Sequence, residues 1–218
     1  MNKVIFLVIF FVVGVSIAYY IQTDIPEDLP IYQPIDLDPE VVDESMLRIG
    51  HGHRIGDFSL QNQDGETITL DEVKGKVHVA EYFFTHCKSI CPVMNVQMQR
   101  VHKRFQADDN VKILSFTVDP DNDTIQRMKW YANKHKAAGN NWHFLTGDKD
   151  ALYNLARKSY FVLKPAEARN LGDAGSDFIH TNNFVLVDQK LRIRGYYDGT
   201  DPKEVDQLMH GIELLLEE

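Results

Sequence analysis

The fold is inferred first from one segment, Tyr82-Phe83-Phe84-Thr85-His86-Cys87-Lys88-Ser89-Ile90-Cys91-Pro92. The apolar run Lys76–Phe84 predicts a buried strand, after which the chain turns and a helix begins. Pro92 suits a first helical turn, where its missing N–H costs nothing. Cys87 and Cys91, four positions apart, would share one face of that turn and aim both sulfurs at one spot. The helix N-terminus would favour thiolates over thiols.

Outward from this segment, the pattern alternates strands with helices. The cysteine helix is expected to end at about Phe105, with an apolar face of Val93, Val96, Val101 and Phe105. The other predicted elements are a hairpin of Asp57–Leu60 and Thr67–Leu70 around Asp64-Gly65, a strand at Val111–Val118, a helix at Thr124–Lys136, a strand at Trp142–Leu145, a helix at Asp148–Lys158, a hairpin of Phe184–Val187 and Leu191–Tyr197, and a helix at Asp201–Leu216. This order predicts an α/β sheet sandwiched by helices.

The N-terminus is strongly apolar. Val4–Ile21 is 18 residues without a charge, or roughly 27 Å of helix, close to the thickness of a bilayer core. Lys3 precedes it and three acidic residues follow within 24–28. The positive-inside rule therefore predicts a single-pass anchor over residues 1–23 in the cell inner membrane, with the rest of the chain on the periplasmic side. Ser16-Ile17-Ala18 resembles a weak cleavage site, so removal of the segment stays open.

A proline-rich acidic segment follows at residues 24–50. It contains four prolines and eight acidic residues against one basic residue, Arg48. This composition favours an extended, solvated tether, and an arm packed along the domain is the alternative. The globular domain is predicted over residues 51–218.

Bulk composition excludes one class of function. The formal net charge of −9 argues against non-specific nucleic-acid binding, which needs a basic surface. The chain has only two cysteines, whereas a disulfide framework would need more of them in a smaller chain. The close pair therefore indicates redox chemistry or a soft metal.

Two thiolates are soft ligands that suit Cu(I), with zinc as the second choice. A third ligand is then expected, and nine histidines are available. His180 is the preferred candidate because it ends a polar loop directly before the strand at 184–187. In a sheet of this kind, that loop lies against the cysteine helix. A lone histidine is more often a surface or hydrogen-bonded core residue, so the residues alone leave the third ligand open.

Other side chains near the cysteines are interpreted as structural. His86 should point away from the adjacent cysteine, because neighbours on an extended chain face opposite ways. His51 and His53, at the domain edge, are expected to be exposed. Met94 and Met98 lie one turn apart on the cysteine helix, where core packing is favoured over a thioether contact to a metal.

Several segments together resemble the Sco/SenC family of membrane-anchored copper proteins. A Phe-Phe-Thr strand end precedes Cys-x-x-x-Cys-Pro, and a histidine lies far downstream. Further similar segments are Asp57-Phe58 with Asp64-Gly65, Ser115-Phe116-Thr117-Val118-Asp119-Pro120 with Asp123-Thr124, Leu145-Thr146-Gly147, and Asp177 through His180 with Asp188. The resemblance spans roughly residues 51–216.

The resemblance implies a thioredoxin-like fold, in which helices flank a central mixed sheet, behind an N-terminal transmembrane helix. It implies a copper ion, as Cu(I) or Cu(II), held by Cys87, Cys91 and His180. It also implies a metallochaperone rather than an enzyme, with delivery to the binuclear copper centre of cytochrome c oxidase or to another copper acceptor. Asp119 would be a structural residue near the site.

The chain departs from the family pattern at three positions. Ile179 stands where an acidic residue often precedes the histidine. Lys88 and Ser89 occupy positions that are frequently Pro and Asp or Thr. These changes make the site less acidic, which would alter metal affinity or redox poise, but they remove no ligand.

Two other functions compete with the metallochaperone. A membrane-anchored thiol–disulfide oxidoreductase could reduce the cysteines of a copper acceptor, since the pair can close into a disulfide. Against it as the sole role, the spacing is three residues rather than two. His180-Thr181 also stands where such reductases carry a proline, and Pro165 is too distant to serve.

A peroxide-reducing enzyme would use one activated cysteine with a nearby threonine such as Thr85, but two convergent thiols fit a metal better.

Overall fold

The computed structural model describes residues 2–22, 28–39, 42, 44–47, 50–137, 139–162 and 182–218. The helices are α1 (Asn2–Gln22), α2 (Glu44–Leu47), α3 (Cys91–Phe105), α4 (Ile125–Lys134), α5 (Lys149–Lys158) and α6 (Pro202–Glu217). The strands are β1 (Ser59–Gln61), β2 (Thr67–Thr69), β3 (Val77–Phe83), β4 (Val111–Thr117), β5 (Trp142–Leu145), β6 (Asn183–Val187) and β7 (Ile193–Asp198). Short 3-10 helices lie at Pro34–Asp36 and Leu70–Glu72.

The core is a five-stranded mixed sheet in the order β5-β4-β3-β6-β7. β3 pairs in parallel with β4, and β4 with β5. β6 is antiparallel to both β3 and β7. The predicted β1–β2 hairpin forms a separate antiparallel pair, and Gly65 supplies the positive φ of 77° that its turn requires.

Helices cover both faces of this sheet. Every residue of β3 and β4 is buried, as expected for central strands that pack on two sides. On one face, α3, α4 and α6 pack against the sheet through residues such as Met98, Met128 and Leu208. On the other face, α5 and the hairpin contribute Leu152 and Leu60 to a second core. The predicted α/β sheet sandwiched by helices is confirmed.

The cysteine helix begins at the last residue of the stretch Cys87–Cys91 predicted for its start, so the two cysteines do not share its first turn as predicted. α3 starts at Cys91, with Pro92 in its first turn, so Cys87 lies in the preceding turn and not on the helix. The predicted apolar face is also partly wrong, because Val93 and Val96 are 45% and 57% exposed. The buried apolar positions are instead Cys91, Met94, Met98, Val101 and Phe105, a spacing of three to four residues counted from the true helix start. The predicted core role of Met94 and Met98 is confirmed.

Residues 29–37 pack along the domain, which is the alternative to a free tether. Tyr32 forms an isolated bridge with Ile193 on β7, and its ring meets Tyr196 edge to face. Oε1 of Gln33 accepts the backbone N–H groups of Gly52 at 2.8 Å and His53 at 2.9 Å. This part of the acidic segment is therefore not a solvated strut.

The predicted N-terminal helix is present as α1. Within the described part of the chain, no helix combines the length and the apolarity needed to cross a membrane.

Candidate metal centre

The cysteine turn lies at the carboxyl end of the central strands. β3 and β4 end in register at Phe83 and Thr117, and the N–H of Val118 donates to the carbonyl of Phe83 at 2.9 Å. Residues 84–90 then turn back, with the Cys87 N–H on the Phe84 carbonyl at 3.3 Å. The strand ends thereby place this turn beside the segment 118–124.

Both cysteines are free thiols. Cys87 is half-buried and its Sγ lies 3.5 Å from Ser89 Oγ, whereas Cys91 is buried at the helix start. The two thiols converge as predicted, closely enough that each shifts the pKa of the other. The two thiols meet across the start of α3 rather than along one of its turns.

The environment separates the acidities of the two thiols. Burial raises the pKa of Cys87, but hydrogen bonds from Cys91 and Ser89 outweigh it and leave this pKa below its ordinary value. Burial, together with the hydrogen bond and charge of Cys87, holds the pKa of Cys91 well above its ordinary value. The arrangement therefore favours the thiolate form of Cys87 and the protonated thiol of Cys91.

A buried carboxylate fixes the start of the cysteine turn. Asp123 is fully buried and accepts the Thr85 hydroxyl at 2.5 Å and the Thr117 hydroxyl at 2.6 Å. It also accepts the Thr85 N–H at 3.2 Å, while Arg127 Nε donates to the Thr85 hydroxyl at 2.9 Å. The sequence did not predict this role of Asp123, which was cited only because Asp123-Thr124 belongs to a segment that carries the resemblance.

Asp119 lies beside the cysteine turn, as the resemblance implied. Its carboxylate is buried and accepts the side-chain amide of Asn122. The His86 ring, 53% exposed, places Nε2 at 3.5 Å from Asp119 Oδ2 and packs against Phe84.

A second unpredicted residue, Glu81, lies in the middle of β3. It is fully buried, and the Ser115 hydroxyl donates to it at 2.5 Å while Trp142 Nε1 donates to that hydroxyl at 2.8 Å. Burial raises the pKa of Glu81 to about 7. Its charge contributes to the raised pKa of Cys91, so the two groups are electrostatically coupled. The signal for Glu81 that the sequence offered was a carboxylate within a strand predicted to be buried.

His51 and His53, which were both predicted to be exposed, differ in burial. His51 is exposed, as predicted, but His53 is 3% exposed and its Nε2 lies 2.8 Å from the Ser159 carbonyl. The expectation of an exposed His53 is therefore wrong, because the arm carrying Gln33 and the end of α5 enclose it.

The described residues supply two sulfur donors for a metal. Among them, no group of three or more His, Cys, Asp or Glu side chains could hold a metal ion. His180, the predicted third ligand, lies in the segment 163–181, outside the described residues. Two adjacent thiols of opposed acidity fit a soft, thiophilic ion such as Cu(I).

Comparison with known proteins finds a matching family model and similar sequences. A family model described as SCO1/SenC matches residues 48–217. The SCO1 protein homolog of Bacillus subtilis is 32% identical over 163 residues, covering 74% of this chain and 82% of that protein.

Solved structures match the fold. The structure of BsSco, described as a member of the Sco family of cytochrome c oxidase assembly proteins with a disulfide switch, matches with a TM-score of 0.63 and 29% identity, covering 76% of this chain and 94% of that one. Copper-bound ScoI of Bradyrhizobium japonicum matches with a TM-score of 0.56 and 23% identity, covering 74% and 99%, a likeness that concerns the fold alone. The predicted thioredoxin-like fold is confirmed.

Proposed function

The chain belongs to the SCO1/SenC family, and we propose that it is a metallochaperone that holds one copper ion between Cys87, Cys91 and His180. The observation that carries the proposal is the pair of neighbouring free thiols at the start of α3 in a chain with no other cysteine.

The acidity of the thiols suits capture and release. Cys87, half-buried and with a lowered pKa, meets the incoming ion first as a thiolate. The Cys91 thiol must give up its proton to bind, so binding couples to pH. Transfer would proceed by ligand exchange, with acceptor thiolates replacing these two sulfurs one at a time. The proposed acceptor is the copper-bearing subunit of cytochrome c oxidase or another copper-acceptor protein.

A second function is favoured by the same asymmetry. A more exposed thiolate next to a buried thiol is the arrangement of an attacking and a resolving cysteine. A thiol–disulfide oxidoreductase that reduces the acceptor's cysteines is therefore the alternative, and the disulfide switch of BsSco accords with it. The Thr85 hydroxyl, which a peroxide-reducing site would aim at its cysteine, instead donates to Asp123 and accepts from Arg127.

Copper titration of the reduced full chain in detergent tests the proposal. Wild type is expected to bind about one Cu(I) per chain. His180→Ala should weaken binding markedly, and Cys87→Ser more so, whereas His51→Ala, at an exposed histidine, should bind as wild type does. Weak binding in wild type that none of these changes affects, together with fast reduction of insulin disulfides, would favour the oxidoreductase.

We also propose that residues 1–23 anchor the chain in the cell inner membrane, with the domain on the periplasmic side. The support is the uncharged stretch Val4–Ile21 and the charges that flank it. Apolar side chains of α1, such as Phe6 and Phe10, are exposed, and insertion into lipid would remove them from water. The full-length chain should remain in membranes after alkaline extraction and be digested by protease added to spheroplasts. Intact chain in the soluble fraction would contradict the anchor.

A further inference from the structure

The charge of the chain is segregated around the cysteines. Residues 84–107 and 124–147 contain eight Lys and Arg residues, and all 32 Asp and Glu residues of the chain lie elsewhere. These segments include α3 and α4, which pack on the same face of the sheet. A chain with a net charge of −9 therefore carries a basic surface on α3 and α4. Both helices begin at the end of the sheet that carries the cysteine turn, so this surface extends from beside the candidate metal centre back along the two helices.

Most of these basic side chains have no carboxylate partner among the described residues. Arg100 and Arg104 pair with carboxylates of α6, and Lys129 pairs with Asp64 of the hairpin turn. Among the described residues, no carboxylate lies within ion-pairing distance of the other five basic side chains, all of which are exposed. They are Lys88, Lys103, Arg127, Lys134 and Lys136.

The same surface contains exposed apolar side chains. Beyond residue 50, the exposed large apolar residues of the described chain are Val93, Val96 and Trp130, at 45%, 57% and 47%. All three lie on α3 or α4. A large aromatic left half-exposed among charges is typical of an interface anchor rather than of an ordinary surface.

Contacts join these residues to the cysteine turn. The Arg127 guanidinium lies 4.4 Å from the centre of the Trp130 ring and also reaches the Thr85 hydroxyl. Lys134 Nζ stands 5.2 Å from the same ring. A groove of about 410 Å³ between Val96 and Lys103 on one side and Lys136 on the other continues the surface along the two helices.

We propose that this α3–α4 face, made by Val93, Val96, Lys103, Trp130, Lys134 and Lys136, is the docking surface for the copper acceptor, which presents an acidic surface with an apolar centre. The proposal rests on the proposed function. Charge complementarity would steer the acceptor onto the face beside Cys87 and raise the association rate. Trp130 would be desolvated at the centre and slow dissociation.

The test is copper transfer from the full chain, in neutral phosphatidylcholine vesicles, to the copper-free, reduced copper-centre domain of cytochrome c oxidase. Lys134→Glu/Lys136→Glu should lower the second-order transfer rate about tenfold at low ionic strength, and high salt should abolish the difference. Trp130→Ala should lower the rate at both salt concentrations. Lys74→Glu, at an exposed lysine that precedes β3 and lies outside α3 and α4, should transfer as wild type does.

Copper titration of the same variants separates the two proposals. All of them should bind copper as tightly as wild type, because none changes a proposed ligand. Normal binding with transfer as fast as wild type in both α3–α4 variants would overturn the docking surface and leave the proposed function standing. A defect that appears only in vesicles containing phosphatidylglycerol would assign the face to lipid and also overturn it. Wild type that binds copper but transfers none would refute the delivery function, and the docking surface with it.

Discussion

At the scale of single residues, the two thiols differ in both exposure and acidity. Cys87 is half-buried with a pKa below its ordinary value, and Cys91 is buried with a raised pKa. In the metal-free reduced protein, iodoacetamide at pH 7 should therefore modify Cys87 at least about tenfold faster than Cys91, since each unit of pKa changes the thiolate fraction about tenfold. Mass spectrometry of the wild-type protein measures both rates, because cleavage by trypsin after Lys88 places the two cysteines on separate peptides. Equal rates would contradict the described asymmetry.

Glu81 should make stability depend on pH. Its pKa is about 7 in the folded chain against an ordinary 4.5, so between these values the native state holds a proton that the unfolded state has lost. Stability then falls as pH rises through this window, by about 3 kcal/mol in all. Glu81→Gln removes the effect, so its free energy of unfolding relative to wild type should rise from pH 4.5 to pH 8.

Chemical denaturation at several pH values measures this change. Glu217→Gln, at an exposed glutamate near the end of α6, is the matched control and should follow wild type at every pH. A Glu81→Gln curve parallel to wild type would show that the carboxyl is ionised throughout.

The sequence predicted some site residues and could not predict others. Cys87 and Cys91 were recognisable because a thiol pair is chemically distinctive wherever it occurs. Asp123 and Glu81 were not recognisable, because the sequence does not show whether a carboxylate is solvated or buried. Folding of the chain brings Thr117 to Asp123 and Ser115 to Glu81. The prediction of His180 as a ligand stays a prediction.

At the scale of elements, the cysteine turn depends on one carboxylate. Asp123→Asn replaces an acceptor oxygen by an NH₂ group, which leaves a hydroxyl or N–H of Thr85 or Thr117 without its acceptor. We expect a loss of about 1–3 kcal/mol in the free energy of unfolding. The exposed neighbour Asp121 offers the control Asp121→Asn, which should change stability by less than about 0.5 kcal/mol. Equal effects of the two changes would contradict this support of the turn.

The N-terminal arm should also stabilise the domain. Gln33→Ala removes the oxygen that accepts the N–H groups of Gly52 and His53, and should cost about 1–3 kcal/mol in the free energy of unfolding. Ile35→Ala, on the same arm but 61% exposed, should cost less than about 0.5 kcal/mol. Thermal denaturation of both variants measures the difference. An unchanged Gln33→Ala would indicate that the arm does not hold to the domain in solution.

Element types were predictable and one boundary was not. The runs that form β3 and β4 are mostly apolar, and Thr124 and Asp148 cap their helices as side-chain acceptors. Cys87 was placed in the first turn of the helix, although a Pro at position 92 favours a start at residue 91 or 92. The apolar face was misassigned because Val93 and Val96 lie beside the stripe 91, 94, 98, 101 and 105, and their exposure gives the docking surface its apolar part.

At the scale of the whole molecule, the candidate metal centre and the basic face share an origin at one end of the sheet. The cysteine turn leaves the carboxyl end of β3, and the α3–α4 face begins beside it and runs back along both helices. The family resemblance implied a central mixed sheet flanked by helices, whereas the basic face depends on how α3 and α4 pack, which the composition averaged over the chain conceals.

The central claim is that one copper ion is bound by Cys87, Cys91 and His180. X-ray absorption spectroscopy of the Cu(I)-loaded chain tests it most directly, with His180→Ala and His51→Ala as the informative variant and its control. The account predicts two sulfur ligands and one imidazole in wild type and in His51→Ala, and loss of the imidazole signal in His180→Ala. A wild-type spectrum without sulfur, or an imidazole signal that survives in His180→Ala, would contradict it.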